Sequence, residues 1–371
     1  MKIKDVIEVF EELSPLAYAE DFDNTGLLVG NPETEVTGIL VTLDTLEEVV
    51  EEAIERKCNL IVSFHPIIFK GLKRIGNQTY VERVVQKAIR NDIAIFSNHT
   101  ALDNSWFGVN AMICEKLGLS NRRILIPKKD TIGKLITFAP VDAAERVRTA
   151  LFEAGAGGIG NYDNCSFNIE GTGSFKGNEE SNPTIGERGK IHFEKEIQIG
   201  VTYPKHLESQ ILRSLFQSHP YEEVAYEITT LENVNQKIGM GMVGELEEEM
   251  SPEAFFDHLK EIMKVSVVRH SEICKEKIRK VAVLGGSGSF AIEAARRAGA
   301  DVFVSADFKY HDFFRAENEI ILADIGHYES EQYTKDLLHS FLTKKMINFA
   351  PVLAENRILI SAVNTNPISY F

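Results

Sequence analysis

Short β-branched runs alternate with stretches of helical periodicity over much of the chain. From Thr37 the order is ILVTLD, a helix from about Leu46 to Lys57, NLIVSFHP, a helix in TYVERVVQKAIR, DIAIFSNHTALD, and a helix in VNAMICEKLGL. Continuous apolar strands separated by amphipathic helices predict a parallel sheet covered on both faces. The rhythm returns after about Lys280: KVAVLGG, a helix in AIEAARRAG, DVFVSAD, a short helix at HDFFRAE, EIILADIG, and a helix from Tyr328 to Lys344. A last strand, NRILISAV, is expected to join one of the two sheets.

Between these halves the grammar changes. GKLITFAPVDAAERVRTALFEAG and EIQIGVTYPKHLESQILRSLFQSH each read as a strand, a proline that stops it, and an amphipathic helix. Strand-like material follows each, in CSFNIEGTGSF and VAYEITTL, so the internal duplication predicts βαββαβ, a ferredoxin-like pattern. The polar segment KGNEESNPTIGERGK reads as an exposed loop. The expected fold is therefore α/β. Two similar βαβαβα modules, residues 1–126 and 237–371, form one core that a ferredoxin-like domain at 127–236 interrupts.

Composition narrows the function classes. A length of 371 residues asks for more than one domain, and 44% hydrophobic residues suffice for substantial cores. The net charge of −15 repels nucleic acid and anionic membrane, so neither is expected as a partner. MKIKDVIEVFEELSP reads as an amphipathic helix interspersed with acids, unlike a signal peptide, and no apolar run reaches the roughly 18 residues of a membrane span. Cys58, Cys114, Cys165 and Cys274 lie far apart without a CxxC pair, which argues against a zinc ribbon or disulfide scaffold and suits a reducing cytoplasm.

Ligands of open parallel sheets collect at the carboxyl ends of strands. Here IVSF ends at His65, IAIFSN ends at His99 with Asp103 four residues on, and IILADIG ends at His327 with Glu331 four residues on. That last spacing puts both side chains on one helical face. Taken singly, each is equally readable as a hydrogen-bonded strand end or a solvated helix face. Recurrence at equivalent positions points to a shared divalent ion on His65, Asp103, His327 and Glu331. Imidazole with carboxylate suits zinc first, manganese or iron otherwise, and the absence of cysteine leaves room for an open position.

Other segments admit two readings. Gly286, Gly288 and Ala291 satisfy GxGxxA between a strand and a helix, with Asp307 at the end of the next strand. Too few strands follow for a complete dinucleotide fold, so a tight turn with backbone N–H groups facing the site is the stronger expectation. Asp307 and His311 either support the metal residues or cap the short helix that follows. HPYEEVAY reads as a helix end entering an edge strand, and AGAGGIGNYDNCSF as a glycine-permitted bend.

Together, AEDFDNTGLLVG, SFHPIIF, NHTALD, the GGSGS turn, SADFKYHD, GHYESE and NTNP resemble the Nif-three-like family, in family order over nearly the whole chain. The resemblance implies a dinuclear metal protein that assembles as a toroidal homohexamer, its bacterial members being named GTP cyclohydrolase 1 type 2 homologues. AGAGxIGNYxxCSF and HPYEEVAY resemble the PII-like insert of the long bacterial branch, related domains of which bind small effectors. Carried over by motif, His65, Asp103, His327 and Glu331 become metal ligands, with Glu331 bridging two ions. The family usually has two adjacent histidines where this chain has Phe64 and His65, which removes a ligand from the second ion, the one expected to be shared with His327. The count expected is thus one or two ions per chain. The usual tryptophan before Asp-Asn is Phe22 here, a change expected to be neutral for packing.

Two functions follow. One is a metal-dependent hydrolase of a nucleotide or related heterocycle, with Glu331 or His99 moving protons. The other is a regulatory or scaffold hexamer that binds metal and a small effector without turnover.

Overall fold

The computed structural model describes residues 1–370 and has a mixed α/β architecture with three sheets. It divides into two compact units, one of Met1–Pro127 with Gln236–Phe371 and one of Lys128–Asn235.

The first unit contains two sheets. One runs in the order Gly26–Val29, Ala94–Ser97, Leu60–Ser63, Ile39–Thr42, Ile358–Ile360, and only Gly26–Val29 is antiparallel to its neighbour. Every residue of its three central strands is buried, as continuous apolar runs demand when helices cover both faces. The C-terminal strand joins it beside Ile39–Thr42, with Ile358 opposite Ile39. The other sheet runs Arg269–His270, Ile321–Asp324, Val302–Ala306, Ile278–Ser287, Gly239–Met250, Ser120–Pro127, with a parallel centre and antiparallel edges. The strands Ser120–Pro127 and Gly239–Met250 pair without a strand-like apolar pattern to mark them. Gly239, Gly241 and Gly244 and the acidic run after Gly244 break the alternation there.

Local chemistry sets the helix ends. Thr79 accepts the Glu82 amide at 3.2 Å to open Tyr80–Arg90. Ser251 caps Pro252–Met263, which stops at left-handed Lys264. The single helix expected from Tyr328 to Lys344 is two, His327–Glu331 and Thr334–Met346. The Ser330 hydroxyl donates to the His327 carbonyl at 2.8 Å and accepts the Gly286 amide at 2.9 Å, holding the first turn against the neighbouring strand end. The two halves of this unit share one apolar core, in which Phe10, Phe64 and Phe96 lie with Phe255, Val281 and Ile321. Each such buried side chain contributes roughly 1.5–3 kcal/mol.

The second unit runs strand Ile132–Pro140, helix Ala144–Glu153, strands Phe167–Phe175 and His192–Pro204, helix Glu208–Ser218, strand Tyr226–Leu231. Its four strands are antiparallel, ordered Phe167–Phe175, His192–Pro204, Ile132–Pro140, Tyr226–Leu231. Both helices pack on the face carrying Leu135, Ile199 and Val201. Strand alternation therefore sends Ile169, Glu196 and Gln198 to the other face.

Candidate metal centre

The carboxyl ends of the parallel strands of the first unit carry the chemistry. Asp44 follows Ile39–Thr42, His65 follows Leu60–Ser63, and the helix His99–Asp103 follows Ala94–Ser97. From the other sheet, Asp307 follows Val302–Ala306, and His327–Glu331 follows Ile321–Asp324 through Gly326. Hydrogen bonds from Ser63 Oγ to the His65 carbonyl, 2.8 Å, and from Ser97 Oγ to the Phe64 carbonyl, 2.6 Å, lock the turn that presents His65.

Three residues meet. His65 Nε2 is 3.1 Å and His327 Nε2 3.2 Å from the same oxygen, Glu331 Oε2. All three donor atoms fall within 4.8 Å of one another. Neither contact is aligned as a hydrogen bond, and this buried oxygen has no hydrogen-bond partner among the described residues. The other nitrogen of each ring is held by a carboxylate: His65 Nδ1 by Asp44 Oδ1 at 2.8 Å, and His327 Nδ1 by Asp307 Oδ2 at 2.7 Å. Such bonds fix the tautomer that turns Nε2 toward the centre. The tail supports the arrangement, since Thr365 donates to Asp44 Oδ2 at 2.7 Å.

Of the four residues expected to bind metal, His65, His327 and Glu331 form this close group and Asp103 falls outside it. Asp103 Oδ1 is closed off from solvent with no hydrogen-bond partner among the described residues. Burial first, and then the charge of Glu331, pushes the Asp103 carboxyl well above the usual range. The two imidazoles behave oppositely. Burial opposes their charge, but carboxylate neighbours outweigh it, raising His65 to about 10 and His327 to about 11. Glu331 is held down to about 2: burial works against it, and the two imidazoles override burial. The carboxylates thus favour the charged form of both rings, and the rings favour the charged form of Glu331.

The glycine turn belongs to this site. Gly286 has φ +69°, and a Cβ there would stand 2.4 Å from Glu331 Oε1 and 3.3 Å from His327 Nε2. Glycine is therefore needed for backbone approach to the centre. The Asn110 side chain accepts the adjacent Gly285 amide at 3.0 Å and donates to the Asp103 carbonyl at 3.1 Å, tying the end of helix His99–Asp103 to strand Ile278–Ser287. Of the pair that admitted two readings, Asp307 supports His327, whereas the ring neighbours of the exposed His311 are Tyr310 and Phe314.

His99 borders the group, its ring 5.2 Å from that of His65. Its Nδ1 faces both oxygens of Asp23 at 2.9 Å, and Asp23 also accepts the Thr100 amide and hydroxyl at 3.1 and 2.5 Å. Asp23 is thereby lowered to about 2, the bonds from His99 and Thr100 outweighing its burial. Asp23, Asp44 and Asn110 carry roles that no spacing reveals, because their partners lie far away in sequence. Phe64 is fully buried, its ring edge-on to His99 at 5.5 Å, so it offers the centre no donor. Phe22 is 66% exposed and touches Phe69, a position where packing asks little of the side chain.

The family model described as Duf34/NIF3 (NGG1p interacting factor 3) matches residues 1–367. A Bacillus subtilis protein named GTP cyclohydrolase 1 type 2 homolog is 36% identical over 369 residues, covering 99% of this chain and 98% of its own. The crystal structure of a Bacillus cereus protein related to NIF3 superposes with a TM-score of 0.83 at 35% identity, covering 100% of this chain and 99% of that one. A Staphylococcus aureus crystal structure gives 0.76 at 31% identity, with 100% and 99% covered.

Proposed function

This chain belongs to the Duf34/NIF3 family, and we propose that it binds one divalent ion, zinc first, on His65, His327 and Glu331 and works as a metal-dependent hydrolase of a nucleotide or heterocycle. The observation that carries the reading is the convergence of two Nε2 atoms on one buried carboxylate oxygen without hydrogen-bond alignment. Two imidazoles and a carboxylate suit zinc or iron with positions left open, and carboxylate support of each Nδ1 is the usual companion of a ligating histidine. Asp103, with its unpartnered buried oxygen, is the fourth candidate ligand. Phe64 contributes no donor, which favours one ion over two.

A divalent ion held there supplies Lewis acidity toward a substrate. The protein's own share is proton handling and water exclusion. Asp23 accepts from His99 Nδ1–H, which leaves the ring's Nε2 as the atom for proton transfer on this reading. Glu331, between its imidazoles, keeps its charge at neutral pH and is the second proton-handling candidate. The names of its bacterial relatives suggest GTP as the first substrate to try.

Elemental analysis of gently purified protein, followed by incubation of the loaded protein with GTP and other nucleotides, tests this. One ion per chain and turnover lost in Asp103→Ala are expected; turnover unchanged by that substitution would overturn the hydrolase reading.

The separate core and cavity of Lys128–Asn235 favour a second reading, a regulatory protein that senses an effector without turnover. On this reading the unit is a PII-like domain, its βαββαβ order being the supporting feature. A toroidal homohexamer in the cytoplasm belongs to both readings, and light scattering that gives a monomer refutes the assembly. No helix among the described residues is long and apolar enough to cross a membrane.

A further inference from the structure

The unit Lys128–Asn235 contains a cavity of about 860 Å³ on the sheet face remote from its helices. The size falls within the range of small-molecule sites, roughly 300–1,000 Å³. Two glycines make the room. Gly171 lies opposite Glu196 in the ladder, and with Gly173 it leaves that stretch of the face bare. A Cβ at Gly173 would stand 2.1 Å from Glu196 Oε2. The segment after Phe175 returns over this floor, where Thr184 Oγ1 donates to the Pro220 carbonyl at 2.8 Å and the Asn182 amide to Glu222 Oε2 at 2.7 Å.

HPYEEVAY builds one wall. His219 Nε2–H donates to the Phe138 carbonyl at 2.9 Å and its Nδ1 accepts the Tyr221 amide at 3.1 Å, a tautomer set by both partners. This anchors Tyr221, whose hydroxyl donates to Glu196 Oε1 at 2.8 Å and whose ring meets Phe175 edge-on at 5.7 Å. Glu196 Oε2 has no protein donor among the described residues. Phe138, Ile169 and Ile185 extend the apolar wall. The charged residues lining the cavity are Glu180, Glu196, Glu222 and Glu223 against Lys176, an excess of negative charge.

We propose that this cavity binds a small organic cation, a primary ammonium carried on an aromatic or apolar body. Glu196, oriented by Tyr221, accepts the ammonium; the faces of Phe175 and Tyr221 favour the positive charge, and the apolar wall takes the body. The inference is independent of the metal reading, since every residue it uses lies in Lys128–Asn235 and none of the metal donors does.

Calorimetric titration of the full chain with phenethylammonium, its neutral isostere 2-phenylethanol and its anionic counterpart phenylacetate tests the proposal. Saturable binding of the ammonium is expected, about tenfold or more tighter than the alcohol, with none of the acid detected. Glu196→Gln and Gly173→Ala should each weaken ammonium binding about tenfold or more with an unchanged circular dichroism spectrum. Glu331→Gln should lose metal yet bind the ammonium as before, so the two readings fail separately. Equal binding of ammonium and alcohol, no binding of the ammonium by the unsubstituted protein, or loss of binding in Glu331→Gln would each overturn the proposal.

Discussion

His65 Nε2 stands 3.1 Å from Glu331 Oε2, joining the end of a strand in the first sheet to a helix that follows a strand in the second. Without metal this contact is an ion pair. On the proposed metal reading both atoms would become ligands, and the proton on the ring would have to leave.

Metal binding at pH 7 should therefore release about two protons per ion, because His65 and His327 are raised to about 10 and 11 in the metal-free protein. Their raised values stabilise the metal-free fold fully below the ordinary 6.5, and that contribution is lost as pH rises through about 10 to 11. Metal affinity moves the other way, strengthening with pH across the same window. Calorimetry in buffers of different ionisation enthalpy counts the protons; a count of zero refutes the assignment of both imidazoles.

Asp44→Asn and Asp307→Asn each remove the charge that holds one Nδ1 while keeping the shape. Each should lower the melting temperature of the metal-free protein, because the charge that raises one imidazole is lost, and each should also lower metal affinity about 10- to 100-fold. Competition against a chromogenic chelator reads this directly. An affinity within twofold of the unsubstituted protein in both variants would mean that the imidazoles do not bind metal through Nε2.

Asp103 is raised above its ordinary 3.8 by burial and by Glu331. Its contribution to stability is complete below 3.8 and is lost as pH rises toward the folded value, so at neutral pH it carries a cost. Asp103→Asn should stabilise the metal-free protein by about 1–2 kcal/mol at pH 7 while weakening metal binding. Urea unfolding at pH 4 and pH 7 checks the sign: the advantage of the variant should grow with pH.

Asp23 behaves in the opposite sense. Its carboxyl is lowered from 3.8 to about 2, so the stability it supplies is present above 3.8 and lost as pH falls toward 2. Asp23→Asn should cost about 2 kcal/mol at pH 7, with the gap closing between about pH 4 and pH 2. If His99 moves protons, the variant should also lose turnover by about 10²-fold or more without losing metal. Metal content and rate measured on one sample separate the two effects.

Much of this protein is legible along the chain because its information is local. Fully buried strands such as Leu60–Ser63 read as apolar runs, helix starts follow from Thr79 and Ser251, and strand ends in a parallel sheet announce where His65, His99 and His327 will lie. His327 and Glu331 were coupled by helical spacing alone. The grouping of these residues into one centre is of another kind. His65 sharing Glu331 with His327, Asp103 standing outside that group, and Asp23, Asp44 and Asn110 acting as supports all depend on how two sheets meet over a common core. Burial is decided there as well. One carboxyl, at Asp103, is pushed up, and another, at Glu331, is held down, although both follow a histidine by four residues. Periodicity prescribes which face a side chain takes; the charges it meets on that face are brought by chain hundreds of residues away.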